Sequence, residues 1–258
     1  MIDSHCHIDF RDFDGIRDEV VSEAREAGVH TIINVGADLE SSRRAVELTG
    51  RYEMIRATVG IHPHDAKTLT PEALAEVRSL AGRPKVVAIG EIGLDFYRDL
   101  SPRPVQKTAF HQQMQLAVEL KLPVVIHTRE AFDQTCLIVG EYAELLPGGV
   151  FHCFPGDVDE AYRVIEMGFV IGVGGVVTYD QSRLSRVAAE IPLDKMIIET
   201  DAPYLAPIPF RGKINRPAYV RYVRDKIAQL RGMPPAEVEK QTDRACRKLF
   251  RLAETFGG

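Results

Sequence analysis

The chain lacks the features that mark a membrane-spanning, secreted or nucleic-acid-coating protein. No apolar run approaches the ~20 residues that a membrane span needs. The amino-terminal stretch MIDSHCHIDF has neither a basic region nor an apolar signal core, so the expected location is the cytoplasm. Cysteine is scarce, and Cys6, Cys136, Cys153 and Cys246 form no CxxC pair. That argues against a zinc finger and predicts reduced thiols. Positive charge is not in excess: Lys and Arg total 32 against 37 Asp and Glu, a net charge of −5. A protein that coats nucleic acid is usually basic. A local grip on a few phosphates stays open, because bound cations offset negative charge within a site. There is no internal repeat, low-complexity tract or linker, and no G-x-G-x-x-G follows the first strand, which leaves an open doubly wound sheet without support.

What the chain does have is a strand–helix rhythm over 258 residues, a length that suits one α/β barrel of roughly 250 residues. One domain spanning 1–258 is expected. Short apolar runs predict buried parallel strands at Ile2–Cys6, Thr31–Val35, Ala57–Ile61, Val86–Ile89, Val124–Ile126, Gly149–Phe151, Val170–Val173 and Met196–Ile198. That number fits a closed (β/α)8 TIM barrel with right-handed crossovers. Between the strands lie helical stripes. Ile16, Val20, Ala24 and Ala27 form one, with Gly28 as its stop; Val105, Ala109, Leu116 and Leu120 form another. Thr70–Pro71 and Asp157 read as helix starts. Pro234 and Pro235 split two closing helices.

Six side chains that bind metals fall at the expected strand ends: His5, His7, Glu91, His127, His152 and Asp201. The carboxyl edge of such a sheet is where ligands and catalysis gather. His5 and His7 are two apart, so a strand turns both to one face. Glu91 could bridge two cations with its two oxygens, or cap a helix in an exposed loop. Asp201 could accept a proton from water, or act as an N-cap ahead of Pro203. His62 and His64 read either as contacts to a phosphate or leaving group or as part of a turn around Pro63. Arg129, two residues after His127, is a candidate bidentate phosphate donor. Arg211, Lys213 and Arg216 are either a solvated basic loop or a second phosphate grip, and Tyr204 and Phe210 in the same loop could stack on a base. Gly172, Gly174 and Gly175 could offer backbone N–H groups to phosphate or simply make tight turns. His30 and His111 read as structural.

The segments DSHCHID, GIHPH, AIGEIGLDF, PVVIHTRE, HCFPG, ETDAPYLAP and RGKIN, taken in order, resemble the TatD-type metal-dependent deoxyribonucleases, a branch of the barrel-shaped metallohydrolases. The resemblance runs over nearly the whole chain. It implies that His5, His7, Glu91, His127, His152 and Asp201 hold two divalent metal ions, Mg or Mn with Zn as an alternative, and that Glu91 bridges them. It also implies a 3′–5′ exonuclease on single-stranded DNA, extending to RNA, with metal-activated water as nucleophile and a role in DNA repair. Strand ends are then the partners, with no membrane and no obligate protein partner. Three positions depart from the family pattern: Phe96 replaces a usual tyrosine, Glu130 replaces a common aspartate, and QTDRACRKLF lacks the usual asparagine. None is an expected ligand. A metallohydrolase of an amide, ester or lactone, including a deacylase of charged tRNA, is the alternative, since a fold does not fix a substrate.

Overall fold

The computed structural model describes residues 1–253. Eight parallel strands lie in the order of the sequence, β1 (Ile2–Cys6), β2 (Thr31–Val35), β3 (Ile55–Val59), β4 (Val86–Asp95), β5 (Val124–Arg129), β6 (Gly149–Phe151), β7 (Val170–Val173) and β8 (Met196–Ile198). The last strand returns to the first. Asp201 N–H donates to His5 O at 2.8 Å, and His7 N–H donates to Ala202 O at 2.7 Å. Lower down, the buried Asp3 carboxylate accepts from the Thr200 N–H and hydroxyl. The fold is the (β/α)8 barrel that the alternating pattern predicts.

Each strand is followed by a helix on the outside: α1 (Arg17–Glu26), α2 (Leu39–Arg51), α3 (Pro71–Ala81), α4 (Arg103–Leu120), α5 (Phe132–Tyr142), α6 (Val158–Glu166), α7 (Arg183–Glu190), then α8 (Val220–Arg231) and α9 (Pro235–Phe250). Starts follow from local chemistry. The Thr70 hydroxyl accepts from Ala73 N–H ahead of Pro71, and Asp157 makes a reciprocal capping box with Glu160. No helix among the described residues is long and apolar enough to cross a membrane.

The apolar residues separate into two layers. One lies between strands and helices and includes Ile32, Ile55, Ile92, Ile126, Phe151 and Ile198. The other fills the lumen with Ile2, Ile33, Val35, Ala88, Val125, Val150 and Ile197, closed by Ala245, Cys246, Leu249 and Phe250 of α9. Asp243 of α9 accepts from Ile2 N–H at 2.8 Å, so α9 seals the amino end of the barrel. Truncating Phe250 to alanine would typically cost about 3–5 kcal/mol. The opposite, carboxyl end carries the polar cluster.

Three boundaries differ from the expected ones. β3 begins and ends two residues earlier, so His62 and His64 lie in the loop beyond it, where His62 caps a 3-10 helix, Pro63–Thr68. β4 and β5 run on past their apolar segments, so Glu91 and His127 stand inside strands and not at their ends. The stripe predicted on α4 is also rotated. Val105 is exposed, while Gln106 and Gln113 are buried. The reason is backbone satisfaction. The Gln113 amide bonds both N–H and C=O of Ile61, and Gln106 does the same for Asp95. Two buried glutamines thereby hold the segments that lead into the mouth.

Candidate metal centre

Strand irregularities, not simple alternation, aim the first groups. Ile2 faces the lumen, so period two would send His5 and His7 outward. The register of β1 shifts between Asp3 and Cys6. Beyond the shift, Cys6 packs in the outer layer and both histidines face inward. β4 repeats the device. Ile89 and Ile92 both pack outward, the register shifts between them, and Glu91 turns into the lumen. Such bulges re-aim side chains beside active sites. Gly93 allows the close approach that follows: its φ is +141°, and a Cβ there would lie 2.0 Å from His127 O. His127 and His152 need no irregularity, because they keep the parity of Val125 and Val150, whereas Asp201 lies beyond the end of β8.

Glu91 stands at the centre and is almost fully buried. Its Oε1 lies 2.7 Å from His152 Nε2 and 3.0 Å from His127 Nδ1, while its Oε2 lies 3.4 Å from His5 Nε2 and 3.7 Å from His7 Nε2. Asp201 Oδ1 is 3.7 Å from His5 Nε2 and 3.6 Å from His7 Nε2. The Asp201 side chain therefore turns to the cluster and does not cap the following segment. Asp201 adopts a left-handed φ of +57°, a conformation that aspartate tolerates better than most residues. The His5 and His152 rings stack at 3.9 Å.

The hydrogen bonds behind these rings decide which nitrogens carry lone pairs. His7 Nδ1–H donates to Val35 O at 2.8 Å, and His127 Nε2–H donates to Asp95 Oδ2 at 3.1 Å. When neutral, these rings present a bare His7 Nε2 and a bare His127 Nδ1 to the centre. Two bare acceptors, His127 Nδ1 and Glu91 Oε1, then lie 3.0 Å apart. Such a contact needs a cation or a proton between the atoms. Without metal, protons fill that role. Burial disfavours charged His7, but hydrogen bonding to Asp201 and the nearby Glu91 charge raise it to about 9. Burial likewise opposes charge on His152, and Glu91 more than reverses it. Burial alone would raise Glu91; the charge of His152 and the hydrogen bonds from His127 and His152 hold it well below the usual carboxylate range. Imidazoles and carboxylates with outer hydrogen-bond partners suit a divalent cation, and the donor atoms of His5, His7 and Glu91 lie close enough to surround one.

Two carboxylates behind the cluster escaped the sequence reading. Asp95 accepts from both His64 Nε2, at 2.9 Å, and His127 Nε2. Glu199 is fully buried, accepts from Cys153 N–H, and lies 3.8 Å from His152 Nδ1, with its own Oε2 unpartnered. Both could have been found by spacing. Each is two or four residues from an expected ligand on the same strand or its extension.

The expected substrate groups ring the mouth with mixed outcomes. Arg129 stacks on exposed Tyr97 at 3.9 Å, and Arg211 stacks on Tyr179 at 4.5 Å. Tyr204 is exposed beside Phe10, whose ring stacks on His7. Arg216 is not free for phosphate, because its guanidinium bonds Glu19 and Glu23 of α1. Phe210 lies face to face with Tyr219 at 4.2 Å, so that face is covered. Gly172 and Gly175 make close packing: a Cβ would meet Glu199 at the first and Leu205 O at the second. His30 bonds Asp243 and His111 bonds Tyr142; both are structural, as expected. Two shallow cavities of about 320 and 220 Å³ on the α4 flank include no residue of the cluster.

A carboxylate with imidazoles on both oxygens, at the carboxyl mouth of a parallel barrel, defines a metal-dependent hydrolase. Residues 2–251 match the profile of the family described as TatD related DNase. The chain is 40% identical over 253 residues to an uncharacterized metal-dependent hydrolase, YabD, of Bacillus subtilis, covering 98% of this chain and 99% of that protein. It is 40% identical over 258 residues to a protein of Cronobacter sakazakii named 3′-5′ ssDNA/RNA exonuclease TatD, covering 97% of each. The crystal structure of YJJV, a TatD homolog from Escherichia coli, superposes with a TM-score of 0.92 at 33% identity, over 98% of both chains. The chain belongs to the TatD-related DNase family.

Proposed function

We propose that this hydrolase cleaves terminal phosphodiester bonds of single-stranded DNA or RNA in the 3′ to 5′ direction, in the cytoplasm, using two divalent cations, Mg or Mn with Zn as the alternative. The observation that carries the reading is the two-sided Glu91. His5, His7 and Asp201 would hold one cation with its Oε2, and His127 and His152 the other with its Oε1. When bound, such cations supply Lewis acidity: they acidify water and offset phosphoryl charge. Asp201 orients the attacking water and takes its proton. Arg129 and Arg211, already ordered on aromatic rings, hold phosphates. Tyr204 offers a face to a base, worth roughly 1–3 kcal/mol. His62 and His64 line the same mouth. The name of the Cronobacter sakazakii relative supports the substrate and polarity, and the negative net charge offers no broad track for duplex DNA.

Digestion of oligonucleotides with added Mg or Mn tests this. A 3′ label should be released at once as a mononucleotide, and a 5′ label should pass through a ladder. A circular single strand should resist. If the circle is degraded as fast as its linear form, entry by an end is wrong.

Two further outcomes follow from the outer groups. Glu199→Gln should weaken metal binding by about 10–100-fold, as losing a group behind a ligating histidine does, read by calorimetric titration of the metal. Metal must also displace the proton that His7 holds up to about pH 9. Apparent metal affinity should therefore rise with pH, about tenfold per unit for each proton displaced, and the contribution of His7 should level off as pH passes about 9. Equal heats in buffers of different ionisation enthalpy would show that no proton is released.

A further inference from the structure

His62 differs from the other imidazoles of the mouth in the hydrogen bond its ring already makes. The backbone N–H of His64 donates to His62 Nδ1 at 3.1 Å, where His62 caps the 3-10 helix Pro63–Thr68. An amide N–H can only donate, so Nδ1 holds a lone pair and no proton. A neutral ring with a bare Nδ1 carries its proton on Nε2. Nε2 is the atom that faces the cluster, 3.5 Å from Glu91 Oε1. That is longer than an ordinary N–H···O hydrogen bond, and Nε2 makes no other among the described residues. His62 is thus the reverse of His127, whose outer hydrogen bond protonates Nε2 and leaves the inward Nδ1 bare.

Spacing alone groups His62 with Glu91 and His127 as donors able to surround a cation. The tautomer removes His62 from that set. To offer a lone pair from Nε2, the ring would have to lose its second proton and become an imidazolate. Otherwise it would have to set an Nδ1–H against the capping amide, leaving a buried donor without an acceptor, which typically costs about 1–3 kcal/mol.

We propose that His62 is a catalytic residue: its Nε2–H is a fixed, neutral hydrogen-bond donor to the leaving oxygen of the scissile phosphodiester, and the ring neither ligates metal nor gives up a proton. This rests on the phosphodiesterase reading above. The side of the site decides which oxygen it meets. Asp201 lies against His5 and His7, the pair on Glu91 Oε2, whereas His62 lies on Oε1 with His127 and His152. Asp201 thus stands nearest the imidazoles on one oxygen of that carboxylate, though it also reaches toward His152, and His62 stands on the other oxygen. Attacking and leaving oxygens of phosphoryl transfer stand roughly in line, so water held by Asp201 directs the leaving oxygen toward His62. The water oxygen bonds to phosphorus, and one water proton passes to Asp201. The bond from phosphorus to the leaving oxygen breaks, and its electron pair stays on that oxygen. The leaving oxygen takes its proton from solvent water. His62 supplies a hydrogen bond throughout and keeps its own proton. Fixed donors at such positions typically contribute about 10²–10³-fold in rate.

His62→Ala and His62→Gln test the proposal, because the glutamine amide N–H reaches close to the position of the imidazole Nε2. Three quantities are compared in the metal-loaded protein: metal bound per chain, the ring protonation of His62 by nitrogen NMR of the parent, and the rates on a linear oligonucleotide and on a phosphodiester of p-nitrophenol. Both variants should bind metal like the parent, and NMR should find Nε2 protonated with Nδ1 bare. His62→Ala should slow the oligonucleotide by about 10²–10³-fold, and His62→Gln should recover about tenfold or more of that loss. The p-nitrophenol ester should suffer much less, because its leaving oxygen needs little stabilisation. Metal lost from His62→Ala, or a bare Nε2, would show a ligand. Glutamine as poor as alanine would show that a proton is transferred. A parent protein inert toward every phosphodiester would defeat the functional reading, and the metal content and ring tautomer would still decide whether His62 is a ligand.

Discussion

Glu91→Gln is expected to lower the hydrolysis rate by about 10³-fold, at the upper end of what removing one fixed electrostatic group does, while leaving the fold intact. The amide keeps the volume and can still bond the surrounding imidazoles. What it lacks is the negative charge that faces His127 and His152 on one oxygen and His5 and His7 on the other. Metal analysis should show weakened or lost binding, at both positions if the carboxylate bridges them. Thermal unfolding should move by only a few degrees, since about 1 kcal/mol shifts a chain of this size by roughly 2–4 °C. Parent-like metal content together with a parent-like rate would remove Glu91 from the metal-holding set.

Chelation carries the other large effect. Stripping divalent cations should abolish hydrolysis, and Mg or Mn should restore it. The stripped protein should remain folded, because the lumen below the cluster is filled by apolar side chains and sealed by α9, and protons can stand between the imidazoles and carboxylates of the mouth. Circular dichroism of the stripped protein should match that of the loaded form, so the loss of rate would report the missing chemistry and not unfolding. Full activity in a demonstrably metal-free preparation would contradict the mechanism.

The segments that were easiest to read were those under a single local rule. β1, β2, β6, β7 and β8 have the predicted bounds, and β6, β7 and β8 carry no polar side chain, as suits a strand covered on both faces. Thr70 and Asp157 cap helices because a side-chain oxygen beside a free backbone N–H does so wherever it occurs. Harder were residues whose role depends on a partner far along the chain. Gln113 lies outside the apolar stripe expected on α4, and it is buried because Ile61, 52 residues away, offers two backbone groups to satisfy. Arg216, open to either a solvated basic loop or a phosphate grip from sequence, is held instead by Glu19 and Glu23 of α1.

The sequence by itself determined the barrel, its strand number and six candidate metal-binding side chains near its carboxyl end, because covered strands are mostly apolar and metal-binding groups among them stand out. Only the tertiary structure decided how those residues face. The bulges in β1 and β4 reverse the parity that alternation assigns to His5, His7 and Glu91. Asp95 and the backbone at Val35 and His64 then set the outer hydrogen bonds of His127, His7 and His62. A neutral imidazole has one bare nitrogen and one protonated nitrogen. Which of them points inward is settled by a hydrogen bond to an atom distant in the chain or held by a local turn, and side-chain spacing carries no record of it.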